Sequence, residues 1–109
     1  IIIDKNNLQI DGSLDEVMSP YPIVDKLKAF GFEGACVDGN DFDQLEAAFE
    51  KAKQTHYRPF AILMKTTKGK GVSFMENQVG WHGKAPNDEE YAQAMQELRA
   101  KMAELEAQA

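Results

Sequence analysis

The chain has 109 residues, 43% of them apolar, with 18 acidic against 12 basic side chains and a net charge of −6. That length suits one small domain with one core, the acidic balance argues against nucleic acid or an anionic membrane surface as a bulk partner, and no apolar run approaches the roughly 20 residues that span a bilayer. The single thiol, Cys36, excludes an internal disulfide and fits a reducing cytoplasm, and its apolar surroundings predict a buried, inert side chain.

Ile1, Ile2 and Ile3 open the chain with no initiator Met, basic segment or cleavage-site pattern. Three β-branched residues read as a core strand already under way, so we expect a piece of a longer protein. Ile1 to Asp4 has the continuous apolar character of a parallel strand covered on both faces. Asn6-Asn7 and Asp11-Gly12 are turn signals. Ser13, with Glu16 three residues on, predicts a capping box for a short helical turn. Pro22 suits the first turn of a second helix, with Ile23, Leu27 and Phe30 on one face and Gly31 as its stop. Phe32 to Val37 reads as the second strand, ended by Asp38-Gly39. Asp41 caps a helix in which Phe42, Leu45, Ala48, Phe49 and Ala52 recur at helical spacing. Pro59 precedes a third strand, Phe60 to Lys65. Asn87 or Asp88 caps the last helix, whose Tyr91, Met95, Leu98, Met102 and Leu105 form a packing stripe. Its Ala/Glu/Gln-rich end beyond Leu98 is expected to fray.

Strands alternating with helices mean βαβ units, a parallel sheet and right-handed crossovers. The predicted fold is a three-layer α/β domain over residues 1–109, with no second domain. Three strands are few for such a sheet, so we expect the domain to be incomplete.

Between the third strand and the last helix, residues 65–86 show no period. Long irregular loops in compact domains are uncommon and tend to be functional. Ligands of open parallel sheets bind beyond the carboxyl ends of the strands, where this loop starts. Lys68, Gly69, Lys70 and Gly71 could hold a phosphate by charge and backbone donors, or could form a solvated flexible loop. Asn6 and the Leu8 carbonyl, past the first strand, are hard oxygen ligands of the kind Mg²⁺ or Ca²⁺ accepts, or else a plain Asx turn. His82 lies in a Gly-rich stretch and off any apolar helix face, which suits a functional imidazole. Trp81 either anchors the loop or touches a ligand. His56 reads as an exposed helix-end residue, and Asp88, Glu89 and Glu90 as an acidic helix start.

Three segments, Ile2 to Gly12, Val37 to Asp41 and Lys65 to Pro86, closely resemble transketolase, in its split bacterial form the N-terminal, diphosphate-binding subunit, and the resemblance runs in order along essentially the whole chain. It implies thiamine diphosphate, a divalent metal (Mg²⁺ or Ca²⁺) and transfer of a two-carbon ketol unit between sugar phosphates in the pentose phosphate pathway. It implies that Asn6 and the Leu8 carbonyl bind the metal, that Lys68, Gly69 and Gly71 face the cofactor, and that His82 reaches both the diphosphate and the substrate as the catalytic residue. It also implies a missing N-terminal segment, a partner in the form of the C-terminal transketolase subunit, and a homo-oligomer or heterotetramer. Asn40 departs from the His that many relatives carry after Asp-Gly. By the same resemblance the chain alone is expected to bind the cofactor weakly or not at all and to turn over no sugar. Deoxyxylulose-phosphate synthase has a similar Lys-Gly loop and a later His-Gly, but the spacing from Val79 to Pro86 and the Asp38-Gly39 turn favour transketolase. A non-catalytic interaction module is the third reading.

Overall fold

The computed structural model describes residues 1–108. They gather into two compact units, Ile1–Thr66 and the segment from Thr67 onward.

The first unit is built on a three-stranded parallel sheet, in the order β1 (Ile2–Lys5), β5 (Phe60–Lys65), β4 (Glu33–Asp38). Ile3 pairs with Leu63, and Ala35 with Ile62. The central strand β5 carries the unit's densest apolar run, and its Ala61, Ile62 and Leu63 are all buried. Helix α3 (Phe42–Lys53) packs on one face, where Ala48 and Leu45 meet Val37, Ile62 and Met64. Burying each aliphatic side chain of this size stabilises by about 1.5–3 kcal/mol. Asp41 caps α3, its Oδ1 accepting the Gln44 N–H at 3.1 Å. Helix α2 (Ile23–Ala29) covers the other face, where Val24 and Leu27 line a groove with Gly34, Cys36, Ala61 and Leu63. The expected three layers and parallel pairing are therefore present.

A short antiparallel ribbon follows β1, β2 (Leu8–Gln9) with β3 (Gly12–Ser13), and leads into α1 (Leu14–Val17). The two turn signals of the sequence flank β2. Ser13 and Glu16 form the reciprocal capping box expected of them.

Several expected burials fail, each for a geometric reason. Cys36 is exposed, not buried. It alternates along β4 with Ala35 and Val37, which face α3, so it points to the side that the seven-residue α2 covers incompletely. Strand β1 is an edge strand whose residues alternate between exposed and half-buried, not doubly covered. Phe30 and Phe42 are 80% and 87% exposed because each sits at a helix end, not in a middle turn over the sheet.

In the second unit, the segment from Thr67 to Pro86 folds back on itself and onto α4 (Asp88–Glu106). The Asn77 N–H donates to the Lys68 carbonyl at 2.9 Å, closing a compact loop, and Val72 within it is buried. Val79–Trp81 makes one 3₁₀ turn. Asn87 and Glu90 form the capping box of α4. Ser73 donates both its N–H and its hydroxyl to the Glu97 carboxylate, each at 2.7 Å, which ties the loop to the helix. Helix α4 runs on to Glu106 and does not fray at Leu98; Ala, Glu, Lys and Leu are all strong helix formers. Its stripe is not packed as expected: Ala94 is buried, while Tyr91, Leu98, Met102 and Leu105 are exposed.

Candidate functional site

In the first unit the candidate ligands follow β1 directly. The Asn6 Oδ1 accepts the Leu8 N–H at 3.0 Å, so the Asx turn forms. An amide oxygen has two lone pairs. The turn therefore occupies one and leaves the other to a ligand, while fixing the side chain two residues from the Leu8 carbonyl. Asn7 between them takes φ 64°, a conformation Asn tolerates. Its Oδ1 accepts from the Tyr21 hydroxyl at 2.7 Å and its carbonyl from the Leu14 N–H at 2.9 Å, which pins the turn. The Thr66 hydroxyl donates to Asp4, joining the carboxyl ends of β5 and β1. Among the described residues no cluster of three His, Cys, Asp or Glu side chains could hold a metal. The Asn6 Oδ1 and the Leu8 carbonyl are two oxygens that this turn offers.

At the end of β4 the Asp38 carboxylate accepts the Asn40 N–H at 2.9 Å, which shapes the turn. The Asp41 carboxyl is held below its ordinary value, first by the Gln44 N–H and then by the Gln44 amide, as a helix cap.

The loop of the second unit is shaped by its glycines. Gly69 has φ 73°, and a Cβ there would lie 2.5 Å from the Met75 carbonyl oxygen. Gly71 has φ 98°, and its N–H donates to the Glu76 carboxylate at 2.9 Å. Gly71 thus serves the loop's own closure, with its donor already engaged. The Lys68 and Gly69 N–H groups have no partner among the described residues, and the half-buried Lys68 side chain starts beside them. Two adjacent unpaired donors with an ammonium suit an anionic oxygen.

His82 is exposed and ends the 3₁₀ turn, its N–H donating to the Val79 carbonyl at 2.9 Å. Its ring makes no hydrogen bond among the described residues. Trp81 anchors the loop, one of the two roles open to it from sequence. It is half-buried, its Nε1–H donates to the Phe74 carbonyl at 3.2 Å, and its ring lies 5.5 Å from that of Phe74 at 56°. The Lys84 ammonium lies 4.2 Å from the Trp81 ring centroid and 2.8 Å from Glu90 Oε1. The Glu90 carboxyl is lowered, first by Lys84 and then by the Asn87 N–H. The Glu97 carboxyl is lowered by the Ser73 N–H, the Ser73 hydroxyl and the Gln93 amide, in that order.

The structure thus places Asn6 and Leu8 together in one turn, and Lys68 and Gly69 together in one loop. It also gives work to residues that sequence reasoning did not single out. Glu76, Glu97 and Lys84 fasten the loop across separations of 5, 24 and 6 residues. No period marks such contacts. Only Glu90 carried a signal, as part of an acidic helix start, and that role is real.

A family model described as transketolase, thiamine diphosphate binding domain, matches residues 1–106. One of the subunits of the apulose-4-phosphate transketolase of Phocaeicola vulgatus is 37% identical over 105 residues, 96% of this chain and 37% of that protein. The 6-deoxy-6-sulfo-D-fructose transketolase subunit SqwG of a Clostridium species is 38% identical over 95 residues, 87% of this chain and 34% of that protein. The chain thus spans about a third of the length of these curated relatives. Among solved structures, transketolase from Campylobacter jejuni superposes with a TM-score of 0.81 at 29% identity, covering 89% of this chain and 15% of that one. Transketolase from Leishmania mexicana gives 0.62 at 25% identity, covering 97% of this chain and 19% of that one.

Proposed function

The chain belongs to the transketolase thiamine diphosphate binding domain family, and from that membership we propose that it serves a split-type transketolase. Such an enzyme moves a two-carbon ketol unit between sugar phosphates in the pentose phosphate pathway or a related cytoplasmic route. The observation that carries this reading is one family model running through residues 1–106, both compact units included, which also supports a single domain. Two relatives are named as subunits, which supports a partner in the form of a second subunit; the assembly would be a homo-oligomer or heterotetramer.

The chemistry of the residues present supports this cofactor. Asn6 Oδ1, with a lone pair to spare, and the Leu8 carbonyl would hold Mg²⁺ or Ca²⁺, hard ions that prefer oxygen. Lys68 and the N–H of Gly69 would face the diphosphate. Gly71 contributes by letting the loop close. His82, exposed and with a ring unengaged among the described residues, would meet diphosphate and substrate and hold or move a proton at a hydroxyl or carbonyl oxygen. The bound thiamine diphosphate supplies the carbanion chemistry. Spanning about a third of the length of these relatives, the chain by itself is expected to bind the cofactor weakly or not at all and to turn over no sugar.

The test is a coupled assay on the whole subunit that contains this chain, purified with its partner. Ketose donors should include the conventional sugar phosphates, apulose 4-phosphate and 6-deoxy-6-sulfofructose. Transfer to an aldose acceptor should require added thiamine diphosphate, stop with chelator, and become more demanding for Mg²⁺ in Asn6→Ala. Transfer that survives removal of both cofactor and metal would refute the proposal.

A further inference from the structure

Nothing hydrogen-bonds the His82 ring among the described residues, so its place depends on the backbone that carries it. That backbone is flanked by Gly80 and by Gly83, the latter at φ 95°, and would be pliable unless something held it. Its own turn holds it locally, the His82 N–H donating to Val79 at 2.9 Å and the Gly83 N–H to Trp81 at 3.1 Å, and a chain of contacts from the first turn of α4 ties that turn to the helix. One Glu90 oxygen accepts the Asn87 N–H at 2.8 Å as half of the capping box. The other accepts from Lys84 at 2.8 Å. The same ammonium sits over the face of Trp81, the residue before His82. A cation over an indole face is attracted by its quadrupole, and tryptophan is the best partner for this. Trp81 is also tied to Phe74, through its Nε1–H and through the contact between the two rings.

We propose that Lys84 is a positioning residue: it clamps the Trp81-His82 turn to the start of α4 and so sets where the His82 imidazole stands. Lys84 touches neither cofactor nor substrate in this role. The inference rests on the reading of His82 given above, and deepens it.

In the whole subunit two signals report on the clamp without any reaction, the Trp81 emission and the His82 imidazole resonances, each identified by its loss in Trp81→Phe or His82→Ala, with His56 as the reference. In Lys84→Met the fluorescence emission of Trp81 and the imidazole NMR signals of His82 should shift, while those of His56 stay in place. Lys84→Arg, which keeps both the cation over the ring and the bond to Glu90, should restore them. Unshifted signals in Lys84→Met would overturn the proposal.

In the whole subunit with its partner, the clamp combines an exposed cation–π contact and a surface ion pair, which together set a loss in kcat of about three- to tenfold for Lys84→Met. Affinity for thiamine diphosphate should not change, and in a His82→Ala background Lys84→Met should do nothing more. Weakened cofactor binding would overturn the proposal, since Lys84 would then face the cofactor itself. So would an equal loss in both backgrounds, because the effect would not pass through His82. A fully active His82→Ala enzyme would overturn the reading of His82 instead, and the spectroscopic comparison would still decide whether Lys84 holds the turn.

Discussion

Replacing Gly69 by Ala should open the loop of the second unit, and replacing Gly83 by Ala should not. Both glycines have positive φ, 73° and 95°, so an L-residue costs about 1–2 kcal/mol at either position. The surroundings then differ. A Cβ on Gly83 meets nothing within 4 Å among the described residues. A Cβ on Gly69 meets the Met75 oxygen at 2.5 Å, its carbonyl carbon at 2.6 Å and its Cβ at 2.7 Å. These atoms include the backbone of the same closed loop and cannot swing aside as a side-chain tip would. Such overpacking costs about a further 1–3 kcal/mol. The bonds that bracket the contact are Val72 N–H to Gly69 and Asn77 N–H to Lys68, at 3.2 and 2.9 Å. Amide hydrogen exchange at Val72 and Asn77 therefore reads the local opening directly. An extra 1–3 kcal/mol corresponds to roughly five- to 150-fold lower protection at those amides in Gly69→Ala than in Gly83→Ala. Equal protection in the two variants would show that the close approach at Met75 does not hold the loop, and the reasoning would fail.

The carboxyls of Glu16, Asp41, Glu90 and Glu97 are all lowered, chiefly by the Ser13 hydroxyl, the Gln44 N–H, the Lys84 ammonium and the Ser73 N–H respectively. A lowered carboxyl adds stability that is complete above its ordinary value and is lost as pH falls through the folded-state value. Thermal midpoints should hold from pH 8 to 6 and fall below the ordinary glutamate value of 4.5, and a midpoint flat to pH 3 would contradict this. Asn87→Ala removes one side of the α4 capping box and should cost about 1 kcal/mol in thermal unfolding followed by circular dichroism; an unchanged midpoint would deny the cap its role. Cys36 should react with a thiol reagent in native buffer, and a thiol that reacts only after denaturation would restore the buried reading that the structure corrects.

Local signals in the chain were strong where chemistry is local. Ser13 with Glu16, Asp41 and Asn87 each cap a helix where a side-chain oxygen can reach the backbone N–H three residues on. Pro59 and the apolar run after it mark β5 to the residue. Burial was less readable, because a stripe says which face is apolar and not what stands opposite. Helix α4 makes the point within one element. Where the loop lies beside it, Ala94 is buried, Ser73 meets Glu97, and a Cβ on Gly71 would come within 3.4 Å of Leu98. Past that stretch Met102 and Leu105 continue the same spacing, yet both are 56% exposed. The candidate site shows the same division. Asn6 and Lys68 could be named from turn chemistry and from the loop after β5, because those depend on neighbours in sequence. The fasteners Glu76, Lys84 and Glu97 could not, since each is defined by where an aperiodic segment folds back, and side-chain spacing carries no record of that return.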